Sequence, residues 1–156
     1  MRIRALLFAS LLVVLSLIAA PANAASKPVR TITDISLDVT VDSCGFPVQL
    51  EATGTSIELN FGSRLNIVAP GTEATLTNLA TGTSLRVAIP GPEFVQFNQD
   101  GSPNTVSFTG PSLFARFHPA TLEPGIWLTR GRLVLDLDAD HTEFDGTSRN
   151  LCTALA

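Results

Sequence analysis

Alternation of apolar and polar residues with period two runs through most of the chain after residue 30, and it limits the fold more than any other feature. Ile35, Leu37, Val39 and Val41 alternate with Asp34, Ser36, Asp38, Thr40 and Asp42. Phe46, Val48, Leu50 and Ala52 alternate with Pro47, Gln49 and Glu51, and Ile57, Leu59 and Phe61 with Glu58 and Asn60. Arg64 to Ala69 and Ser84 to Ile89 repeat the pattern, as does Arg132 to Asp138, where Leu133, Leu135 and Leu137 face away from Arg132, Asp136 and Asp138. Successive side chains of a strand point to opposite faces, so such segments bury one face and leave the other wet. No window after Ala25 carries a capped 3.6-residue stripe.

Turn chemistry punctuates the strands. Gly54, Gly62, Pro70-Gly71, Gly82, Pro90-Gly91-Pro92, Asp100-Gly101, Gly110-Pro111, Pro124-Gly125 and Gly146 read as turns, and Ala139 to Thr142 as a hairpin turn. Short strands at such spacing predict a single antiparallel β-sandwich of about ten or eleven strands over residues 31–156, with a flattened closed barrel as the alternative. His118 to Gly125 reads as an exposed loop, and residues 25–30 as a loose N-terminal arm.

Residues 1–24 read as an export signal. Arg2 and Arg4 precede an apolar run from Ala5 to Ala20, Pro21 ends it, and Ala22-Asn23-Ala24 is a small-x-small site that places cleavage between Ala24 and Ala25. The apolar run is too short to span a bilayer, and no second long one follows, so no membrane span is expected after cleavage. The expected location is secreted or extracellular. Lys27 is the only lysine among ten Lys and Arg residues, a bias towards GC-rich codons that suggests a bacterial source. Cys44 and Cys152 both lie beyond the signal. An oxidising exterior and an even count predict one disulfide between them. A loop of that length is worth roughly 4–5 kcal/mol in the chain-entropy model.

The net charge is −4, and removing the signal takes two arginines and no carboxylate. That balance disfavours a nucleic-acid partner. With one Trp and no Tyr, stacking platforms for sugars or single strands are disfavoured too. Phe94, Phe97, Phe108, Phe114 and Phe117 read as core filling, or as the lining of an apolar cavity were the barrel closed.

Asp136, Asp138, Asp140, Glu143 and Asp145 are the most site-like residues, since alternate carboxylates supply the oxygens that Ca²⁺ needs. The EF-hand template fails, with His141 where its glycine belongs and Thr147 where its glutamate belongs. A solvated strand face is the expected reading. His118 and His141 read as surface loop residues, because no G-x-S-x-G, H-E-x-x-H or phosphate-loop motif accompanies them. No catalytic residue, metal ligand or cofactor is expected.

Cys44-Gly45-Phe46-Pro47-Val48, Ala74 to Gly82, Leu128 to Arg132, Asp138-Ala139-Asp140 and Leu151-Cys152-Thr153-Ala154-Leu155 together resemble a family of small exported bacterial proteins of unknown function. The resemblance implies a signal peptide followed by an all-β domain with one Cys near each end. It brings no activity, ligand or catalytic residue. His141 stands where such D-A-D-G hairpins tend to have Gly. The expected function is a non-enzymatic binding module at or outside the cell surface, whose partner is an extracellular protein or an apolar small molecule. The alternatives are a carrier of an apolar ligand in a barrel cavity and, least favoured, a secreted hydrolase.

Overall fold

A computed structural model describes residues 27–156; the signal segment and the Ala24–Ala25 junction lie outside the described residues. The chain forms nine antiparallel strands: β1 (Val29–Val41), β2 (Val48–Asn60), β3 (Arg64–Val68), β4 (Glu73–Asn78), β5 (Ser84–Ala88), β6 (Glu93–Phe97), β7 (Pro103–Phe114), β8 (Trp127–Asp136) and β9 (His141–Asn150). A single turn of helix, α1 (Cys152–Leu155), ends it. β1 begins at Val29, inside the segment expected as an arm.

The strands lie in the order β5-β4-β2-β3-β6-β7-β8-β9, and β1 pairs along the other side of β2. The expected sandwich is present, whereas the barrel alternative is not, since the sheet does not close. Instead it folds over. Val48 and Leu50 of β2 and Leu76 of β4 share one buried cluster with Ile126, Leu151 and Leu155, and Leu113 of β7 and Leu128 of β8 pack against it. Strands far apart in the order therefore meet face to face, as two packed layers require. Leu76, Ile126, Leu151 and Leu155 are fully buried, each worth about 1.5–3 kcal/mol.

Three glycines expected in turns lie inside strands. Gly54 sits within β2, between the segment that pairs with β4 and the segment that pairs with β3. A Cβ there would stand 2.5 Å from Thr72 Oγ1. Gly110 and Gly146 stand in one register row with Gly131, across β7, β8 and β9. A Cβ on Gly131 would be 2.2 Å from the Asp145 carbonyl oxygen, and Gly131 has φ 135°. Missing side chains permit close backbone approach and a sharp bend, which is why glycine marks corners of folded sheets. Pro111 follows the row on the part of β7 beyond its pairing with β6, where a missing N–H breaks no ladder on that side.

The disulfide links Cys44 to Cys152, with Cα atoms 5.2 Å apart. Cys44 lies in the β1–β2 turn and Cys152 follows β9, so the bond ties together the ends of β1 and β9. The tail is fixed further by Leu151 N–H donating to the Ile126 carbonyl at 2.8 Å. The buried Asn78 side chain donates to the Leu155 carbonyl at 2.8 Å.

Candidate functional site

The carboxylate run does not converge. Asp136 Oδ1 accepts from the N–H groups of Asp138 and Ala139, at 3.1 and 2.9 Å, and so shapes the β8–β9 turn. Asp138 accepts from Asn98 Nδ2 at 3.3 Å and joins that turn to the β6–β7 turn. Asp140 adopts φ 48°, the left-handed conformation that Asp tolerates. The strand ends at Asp136 and β9 starts at His141, so the turn covers 137–140 rather than Ala139 to Thr142. Among the described residues no group of three His, Cys, Asp or Glu side chains is placed to hold a metal ion.

The two histidines differ. His141 is exposed, with Nε2 3.5 Å from Glu143 Oε1. His118, expected at the surface, is 4% exposed. Its Nδ1 accepts from the N–H groups of Ala120 and Thr121, at 3.3 and 3.1 Å, so Nε2 carries the ring hydrogen. Its ring stands edge-on to Trp127 at 4.9 Å and to Phe144 at 5.5 Å. Phe144 pairs with Leu133 of β8, and a straight strand would hold Trp127 about 20 Å from that position. One imidazole touches both rings because β8 and β9 bend at the Gly131–Gly146 row between them. His118 is thus a packed wedge on the inside of the bend. The loop that carries it is shaped by Leu122 at φ 61° and by Trp127 Nε1 donating to the Glu123 carbonyl at 3.1 Å.

Sequence reasoning did not single out Glu93. Glu58, Ile67, Glu93, Phe108, Leu133 and Phe144 form one register row across β2, β3, β6, β7, β8 and β9. Burial pushes the Glu93 carboxyl above the ordinary carboxylate range, and the nearby Glu58 charge pushes it the same way. Alternation hid it, because Glu93 occupies an inward position that the pattern assigns to apolar residues. Asp100 is held below the ordinary range, chiefly by the Ser102 hydroxyl, inside the β6–β7 turn. Of the phenylalanines, Phe108 and Phe114 pack edge to face at 5.5 Å.

The feature without an internal role is the outer edge of β1. β1 pairs with β2 over its whole length, Val29 opposite Asn60 through Val41 opposite Val48, and no other described strand lies on its far side. Its outward backbone groups are therefore open along thirteen residues. Its apolar side chains are open too: Val29 is 68% exposed and Ile32 57%, and Leu37 and Val39 are also exposed. Leu37 and Val39 stand opposite Ala52 and Leu50, so the core-forming face of β2 runs out onto β1 uncovered. Such an edge is a template for a further strand. Beside its end, Thr40 to Ser43 with Arg116, Phe117 and Pro124 line an open groove of about 300 Å³.

No family model, no curated protein and no solved structure matches this chain.

Proposed function

We propose that this chain is an exported, non-enzymatic binding module that acts at or outside the cell surface by adding a partner strand to the open edge of β1. The observation that carries the reading is that edge: thirteen residues long, unpaired on one side, with Val29, Ile32, Leu37 and Val39 exposed. Monomeric domains usually shorten, charge or cover such an edge. The signal-like residues 1–24 and the Cys44–Cys152 disulfide support an oxidising destination. No helix of the described residues is long and apolar enough to cross a membrane.

Two measurements test the reading. N-terminal sequencing of protein recovered from the medium of the expressing cells should find Ala25 first; retention of residues 1–24 would contradict export by cleavage. Partners that co-purify with the wild-type protein should be lost with Ile32→Lys, at an exposed position where a charge leaves the fold intact. Equal recovery with both would contradict the edge as the binding element.

A further inference from the structure

Resting on the reading of β1 as the binding edge, we infer that the strand it accepts is β1 of a second copy of this chain, antiparallel, with Arg30 of each copy opposite Asp34 of the other. The charge order along β1 carries this. Its cation, Arg30, lies near the N-terminal end, and its carboxylates, Asp34 and Asp38, lie further on. Among the described residues neither the Arg30 nor the Asp34 side chain has an ion-pair partner. Antiparallel self-pairing sets the basic end of each strand against the acidic part of the other, whereas parallel in-register pairing would stack like charges.

Two antiparallel registers place Arg30 directly opposite a carboxylate of β1. The register that chooses Asp38 also sets Asp34 against its own copy, two like charges face to face. It further competes for a carboxylate that already accepts from Gln49 Nε2 at 2.8 Å. The register that chooses Asp34 has neither fault. Its twofold axis passes through Ile32, so Ile32 meets Ile32, Thr31 meets Thr33, and Val29 meets Ile35. The two most exposed apolar residues of β1, Val29 and Ile32, are then the ones covered. Each Arg30–Asp34 contact occurs twice by symmetry, as a self-complementary interface requires.

The test is sedimentation equilibrium of the purified protein over a wide concentration range, with Arg30→Asp, Asp34→Arg and the double swap Arg30→Asp/Asp34→Arg, each checked for folding by circular dichroism. Wild type should dimerise in a concentration-dependent way. Each single reversal should weaken the dimer by about tenfold or more, because both symmetric pairs become repulsive. The swap should restore it. A monomer at every concentration would overturn self-pairing and leave the edge reading to the Ile32→Lys co-purification. A dimer indifferent both to Arg30→Asp and to Ile32→Lys would overturn the self-pairing and the edge reading together. A dimer weakened by both single reversals but not restored by the swap would overturn the register.

Discussion

The two long outer strands, β1 and β9, face the same hazard and are built differently. β9 reads HTEFDGTSRN: charged or titratable side chains at His141, Glu143, Asp145 and Arg149, and Gly146 at a bend. None of its residues is an exposed large hydrophobic. β1 reads VRTITDISLDVTV, has no glycine, and exposes Val29, Ile32, Leu37 and Val39. Both strands carry charge, with Arg30, Asp34 and Asp38 on β1, so the difference lies in the glycine of β9 and in the large hydrophobics that β1 alone exposes, which favour strand addition. The contrast within one sheet is what the proposed binding role of the β1 edge rests on, since two long edge strands of the same sheet differ in exposed apolar surface. The disulfide sharpens it, since it fixes the ends of both strands while only β1 leaves large hydrophobics exposed.

The largest expected effect comes from breaking the bend that shapes β9. Gly131→Val would force a side chain against the Asp145 carbonyl and into φ 135°. It should cost at least about 3 kcal/mol and leave little folded protein in a denaturant titration. Removing the disulfide by Cys44→Ser with Cys152→Ser should cost about 2–5 kcal/mol and release both strand ends. Urea unfolding of oxidised and variant proteins checks this, and an unchanged midpoint would separate the two edges from their shared anchor.

Glu93→Gln is a control that touches neither edge. Folded Glu93 keeps its proton to higher pH than the unfolded chain does, so the native state binds more protons in the window between the two pKa values. Stability therefore falls as pH rises through that window, and the deficit is complete above the folded pKa. The variant should melt higher than wild type at pH 7, with the gain shrinking as pH falls towards about 4. The smallest effect on stability belongs to Ile32→Lys, within about 0.5 kcal/mol, although it should abolish association.

Much of this was legible in the alternation. The first strand was readable because Ile35 to Val41 keep period two without a break, and the disulfide because compartment and count leave one pairing. The corners were not. Gly54, Gly110 and Gly146 carry the same local signal in a turn as in a bent strand, and only their cross-strand neighbours distinguish the two. Taking Gly54 as a turn split β2 in two and raised the strand count above nine. His118 was misplaced for a related reason: its burial comes from a bend far along the chain, and His-Pro in a polar segment reads locally as loop. The edge character of β1 was also invisible, since alternation gives the faces of a strand and says nothing of its neighbours.

Backbone hydrogen exchange of the wild-type protein, read strand by strand at low and high protein concentration, distinguishes an edge that pairs from one that stays open. The outward amides of β1 between Val29 and Ile35 should exchange fast when dilute and become protected as concentration rises, while the outer amides of β9 exchange alike at both. Exchange on β1 that is independent of concentration, or protection that grows on β9 instead, would contradict that pairing.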